Sequence, residues 1–170
     1  MDFKSILRTF LKIILPLAFG CLLLWFLYRK MDIRGAEMMG ISKKLETIYH
    51  NGQPDGICSM RRSLSTMTTY VIPRPLLGKA KDISGIKRPG IYYLINEDED
   101  NNIAQIYIGQ TRNGVIRLDD HNRSKDFWNK AIMFLAESRT FTLDMISGLE
   151  KFAIIKAQAS KRYRIENSVI

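Results

Sequence analysis

The sequence predicts an α/β domain of short strands and helices behind an N-terminal apolar helix, and three observations predict it. Residues 13–28, IILPLAFGCLLLWFLY, hold no charge between Lys12 and Arg29. Residues 90–95 and 103–110 alternate as two strands around the polar loop Asn96 to Asn102. A helix is expected over 113–122, where Ile116 and Leu118 can turn toward a core, and apolar residues recur at helical spacing over 143–160. The 170 residues suit one compact domain with an appendage, organised as 1–30, 31–88 and 89–170.

As a helix, 13–28 spans roughly 24 Å, short of a ~30 Å hydrocarbon core. Ile6, Leu7, Phe10 and Leu11 extend it, and Arg8 and Lys12 can snorkel. A core helix would need more protein around it than follows, and no small-x-small cleavage site succeeds the run. An uncleaved single-pass anchor in an inner or plasma membrane is the expectation. Lys4, Arg8 and Lys12 precede it, while Arg29, Lys30, Arg34, Lys43 and Lys44 follow, a slight bias toward a cytoplasmic C-terminal part. Cys21 lies in the run and Cys58 is the only thiol beyond it, so no disulfide framework calls for an oxidising compartment.

Residues 31–44 read as a methionine-rich connector. From Leu45 to Pro75 short strands are expected between turns at Asn51-Gly52 and Pro54-Asp55-Gly56. The β-branched run Thr68 to Ile72 ends at Pro73, and Leu76 to Lys81 reads as a helical turn. After the hairpin, a helix over 113–122 puts Arg117 and His121 on one face. KAIMFLAE, 130–137, is a third strand, and Thr142 is a good N-cap for the helix over 143–160. Tyr93, next to Tyr92, should point to the opposite sheet face and pack there.

The net charge of +9 divides into +4 over residues 1–30 and +5 over the remainder. Between Lys151 and Arg164 there are only basic charges: Lys151, Lys156, Lys161, Arg162 and Arg164. Such a stripe suits a phosphate backbone, an anionic lipid surface or simply solvent. Glu150 falls within the apolar stripe Leu143, Ile146, Ala153, Ile154 and Ala157, where a carboxylate needs a partner, a cation or a route to the rim. There is no Cys/His cluster for zinc, no repeat and no low-complexity segment.

Gly90-Ile91-Tyr92 and Tyr107-Ile108-Gly109, followed by Arg117, His121, Glu150 and Asn167, resemble the GIY-YIG nuclease superfamily over about residues 45–168. NGQPDGI, VIPR, DFWNKAIMF and RIENS further resemble a bacterial subgroup in which a β segment leads into the nuclease domain. The resemblance implies a small three-stranded antiparallel sheet flanked by helices. It also implies an endonuclease that hydrolyses DNA phosphodiester bonds with a divalent metal, Mg²⁺ or Mn²⁺.

In that reading Glu150 holds the metal, Arg117 grips the phosphate, and Tyr92 activates water as general base. Tyr107 and His121 orient water or phosphate, or His121 is itself the base, and Asn167 fixes substrate or Glu150. Arg117, Lys151, Lys161, Arg162 and Arg164 are the candidate nucleic-acid contacts. Two further readings are a membrane-tethered nucleic-acid-binding module without catalysis and a nuclease working outside the cytoplasm.

Overall fold

The computed structural model describes residues 44–98, 100, 102–137 and 141–167. The anchor expected at 1–30 and the connector over 31–43 lie outside the described residues. Among those described, no helix is long and apolar enough to cross a membrane.

Three strands open the chain: β1 (Leu45–Tyr49), β2 (Cys58–Arg62) and β3 (Met67–Pro73). The turn after β1 uses Gly52 at φ 68°, a left-handed conformation that glycine adopts without steric cost. Pro73 and Pro75 then end the strand. A 3₁₀ turn (Arg74–Leu76) and a single helical turn, α1 (Leu77–Ala80), follow. The hairpin is β4 (Gly90–Glu97) and β5 (Ile103–Thr111). After it come a 3₁₀ turn (Gly114–Ile116), α2 (Arg117–Ser124), β6 (Lys130–Ala136), α3 (Leu143–Ser160) and β7 (Arg164–Ile165). Thr142 caps α3 as expected, its side chain accepting from the Met145 backbone N–H at 3.3 Å.

The expected small three-stranded sheet is corrected. All seven strands form one mixed sheet in the order β1-β2-β3-β6-β4-β5-β7. The antiparallel trio β6-β4-β5 is its centre, extended on both sides. β3 pairs with β6 over seven positions, from Met67↔Ala136 to Pro73↔Lys130, because the β-branched Thr68 to Ile72 run meets an edge of β6 that would otherwise be unpaired. On the other side β7 joins β5 in parallel through Gln105↔Arg164 and Ile106↔Ile165. The segment expected to precede the domain thus belongs to its sheet.

β4 does not show the half-buried alternation expected of it. Its first six residues are all buried, since both faces of the central strand are covered. Tyr92 and Leu94 face a cluster with Ile86, Val115, Leu118, Trp128 and Met133, under α1, the 81–88 loop and α2. Ile91, Tyr93 and Ile95 face the other cluster, with Ile146, Ala153, Ile154 and Ala157 of α3. Tyr93 packs edge-on against Phe134, ring centroids 5.7 Å apart.

Candidate active site

Tyr92 and Tyr107 stand on one face of the hairpin, because Tyr92 is opposite Gly109 and Leu94 is opposite Tyr107. α2 lays His121 over the same face. The three rings form a cluster, with centroids 6.3 Å apart for Tyr92–Tyr107, 5.4 Å for Tyr92–His121 and 5.1 Å for Tyr107–His121. Tyr92 Oη lies 2.5 Å from His121 Nε2. In the tautomer protonated on Nδ1, the phenol donates and the imidazole accepts.

The two glycines of the hairpin make this geometry possible for different reasons. A Cβ on Gly109 would collide with the Tyr92 phenol, so the empty side-chain position on β5 houses the tyrosine hydroxyl. A Cβ on Gly90 would strike the Phe134 carbonyl, where β4 and β6 backbones meet.

Burial governs the protonation of the pair. Tyr92 is 1% exposed and His121 5%. Desolvation, reinforced by Tyr107, pushes the Tyr92 phenol far above its ordinary value, against the opposing pull of Arg117. Desolvation also lowers His121, helped by the Arg117 and Lys125 cations, to about 4. At neutral pH the pair is therefore a neutral phenol hydrogen-bonded to a neutral imidazole.

Arg117 is the first residue of α2, half-exposed at the mouth of the site. Its Nη1 bonds Asp120 Oδ2 at 3.0 Å, and Arg123 shares the same carboxylate at 2.7 Å. Gln110, Thr111, Arg112, Asn113, Ile116, Arg117 and Asp120 line an open cleft of about 380 Å³. A larger cavity of about 670 Å³ between β1–β3 and the 79–88 loop contains none of the candidate residues.

Glu150 comes from α3, which packs on the opposite sheet face, and reaches the end of β5. Its Oε1 accepts from the Gln110 backbone N–H at 3.1 Å. Burial raises its pKa, countered by that hydrogen bond and by Lys151. Its charge and that of Arg117 act on the Tyr92 phenol in opposite directions, so both lie within electrostatic reach of it.

Among the described residues no three His, Cys, Asp or Glu side chains group as a metal cage. A single half-buried carboxylate beside an open cleft nevertheless fits Mg²⁺ or Mn²⁺, because Mg²⁺ commonly takes one or two protein carboxylates and fills its shell with water and substrate phosphate.

Asn167 has a different setting. Its side-chain oxygen accepts from Ile108 N at 2.9 Å and its amide donates to Ile108 O at 2.7 Å. It is bound to the backbone of the residue between Tyr107 and Gly109, continuing the pairing of β7 along β5. Both ends of its amide are thus engaged in positioning β5. Nor do Lys161, Arg162 and Arg164 converge on the site. They follow or cap α3, which packs on the other side of the sheet, and Arg164 pairs with Glu166 at 3.0 Å. Lys151 alone adjoins it, through Glu150.

Three contributors are invisible to motif reading. Lys125 places its ammonium 4.5 Å from the Tyr107 ring centroid. Asp120 holds Arg117, a partner that the i, i+3 spacing on a helix suggests. Arg74, fixed between Pro73 and Pro75, donates to the Asn122 side chain at 2.8 Å and to the Asn122, Asp126 and Trp128 carbonyls at 3.1, 3.0 and 3.0 Å. It clamps the end of α2 that carries His121, and its only sequence signal is a rigid Pro-Arg-Pro.

No protein-family model, curated protein or solved structure matches the chain.

Proposed function

We propose that the chain is a membrane-anchored, divalent-metal-dependent endonuclease of the GIY-YIG type that hydrolyses DNA phosphodiester bonds. The observation that carries the reading is the convergence of Tyr92, Tyr107, Arg117 and His121, from three elements, around a phenol for which Gly109 leaves the space.

His121 is neutral and hydrogen-bonded to the Tyr92 hydroxyl, so it is placed to take the phenol proton. The burial and nearby cations that hold it at about 4 make it a weaker base than a free imidazole. Because burial disfavours a standing phenolate, the proton moves as a relay: the attacking water gives its proton to Tyr92 Oη as the phenol gives its own to His121 Nε2. Both transfers leave the phenol neutral and put one positive charge on the imidazole. Arg117 exchanges its Asp120 contact for the scissile phosphate, a bidentate guanidinium–phosphate grip. Lys125 supports Tyr107 at the wall of the site. A divalent ion on Glu150 would supply Lewis-acid stabilisation of the phosphoryl oxygens.

A tethered nucleic-acid-binding module without catalysis is the second reading, favoured by the nearly complete burial of Tyr92 with its hydroxyl closed on His121. One experiment decides between the two. The full chain in detergent micelles is incubated with supercoiled plasmid and Mg²⁺, beside Glu150→Ala and an EDTA control. Nicking or linearisation that Glu150→Ala reduces about 10³-fold, as loss of several kcal/mol of metal stabilisation would, supports the nuclease. Intact plasmid retained by the protein in a gel shift supports the binding module. Activity undiminished in Glu150→Ala overturns the metal assignment.

A further inference from the structure

α3 is apolar on two sides. At 3.6 residues per turn, Ile146, Ala153, Ile154 and Ala157 form the stripe buried against the sheet. The opposite side of the cylinder carries Met145, Phe152 and Ile155, exposed at 52, 36 and 59%, with Gly148 among them and Ala159 one turn beyond Ile155. An exposed apolar stripe of this kind on a surface helix marks a face that another surface covers, and from Met145 to Ile155 it runs over roughly 15 Å of helix.

Its borders are basic. Lys151 flanks the stripe on one side and Lys156 on the other, the latter with its ammonium 5.4 Å from the Phe152 ring centroid. Lys161 and Arg162 continue the charge past the C-terminal end. Asp144, in the first turn, is the one acid near the stripe.

We infer that this outward face of α3 lies on an anionic lipid leaflet, with Met145, Phe152 and Ile155 at the acyl boundary and Lys151, Lys156, Lys161 and Arg162 among the headgroups. A leaflet uses both halves of the pattern. A phosphate backbone has use for the lysines and none for an exposed Ile, Met and Phe. A second copy in an isologous pairing would set the same cationic borders against each other.

The placement also has a consequence for the site. Tyr92, Tyr107 and His121 occupy the sheet face opposite α3, so a domain resting on α3 turns the face that carries them away from the lipid. The inference rests on the membrane half of the proposed function and is independent of its chemistry.

The test uses the full chain with Cys21→Ser, which leaves the buried Cys58. An environment-sensitive NBD fluorophore is attached at Ile155→Cys or, as control, at Lys79→Cys on an exposed position of α1. Vesicles are phosphatidylcholine with or without phosphatidylglycerol, and a doxyl-lipid serves as quencher. The expected result is a blue shift and quenching at 155 in the anionic vesicles, little at 79, and loss of the signal in Lys151→Glu/Lys156→Glu or at high salt.

A chain that sediments with vesicles while the probe at 155 stays unquenched overturns the inference and leaves the anchor standing. Failure to sediment overturns both. Equal quenching at 79 and 155 overturns the orientation. A blue shift without vesicles assigns the face to protein, to a second copy if it grows with concentration and to the chain's own residues if it does not.

Discussion

Tyr92 and Tyr93 are adjacent, identical in type and almost equally buried, yet the two sheet faces put them to different uses. Tyr93 meets an aliphatic floor and the edge of Phe134. Tyr92 meets two ionisable rings, a cation at the cleft mouth and a hydroxyl-sized space left by Gly109. The α3 face supplies support. The α2 face gathers Tyr92, Tyr107, Arg117 and His121, the groups the proposed reaction uses, with Glu150 reaching it from the helix behind. Burial alone therefore says little about role, and what a buried group faces decides it.

The sharpest way to break this comparison is to remove one hydroxyl from each face. Tyr92→Phe should lower plasmid cleavage by about 10²–10⁴-fold, the usual weight of a general acid–base group, while Tyr93→Phe should stay within about tenfold of the parent. Equal losses would show that the two tyrosines matter only as sheet residues.

Gly109→Ala tests the space and not the hydroxyl. The added methyl displaces the phenol from His121, which should cost about 10²-fold in activity and about 1–3 kcal/mol in stability through overpacking. Urea denaturation beside the cleavage assay checks both, and a fully active, fully stable variant would remove the role assigned to this glycine.

The third handle is pH. The fold holds His121 at about 4, below its ordinary 6.5, so it prefers the neutral imidazole and unfolding takes up a proton between those values. The stability from this group is complete above about pH 6.5 and drains away as pH falls through about 4, roughly 2–4 kcal/mol in all. Denaturation midpoints between pH 7 and 4 should fall in the parent and much less in His121→Gln. Parallel slopes would mean that other groups carry the acid sensitivity.

The smallest expected effect is that of Asn167→Ala. Losing two hydrogen bonds to Ile108 should cost about 1–3 kcal/mol and less than tenfold in cleavage, since the side chain positions β5 from behind. A loss as large as that of Tyr92→Phe would make Asn167 a substrate contact after all.

Sequence determined what is local. The hairpin strands, the cap at Thr142, the helix of Arg117 and His121 and the alternation that separates Tyr92 from Tyr93 follow from periodicity and from side chains acting within a few residues. The order of the candidate residues, from Tyr92 to Asn167, was equally legible, because a motif is a pattern along the chain. Only the tertiary structure decided which strands pair. The β-branched run of β3 announced a strand without naming β6 as its partner, so a three-stranded expectation became a seven-stranded sheet. It likewise decided that Asn167 binds the backbone of β5, that Arg74 clamps α2 and that Tyr92 closes on His121. The outward apolar side of α3 emerged the same way, since a helix with apolar residues on two sides reveals which stripe is left over only after one has been buried. In each case the partner lies far away in sequence, and long-range contacts depend on register and packing that no local pattern encodes.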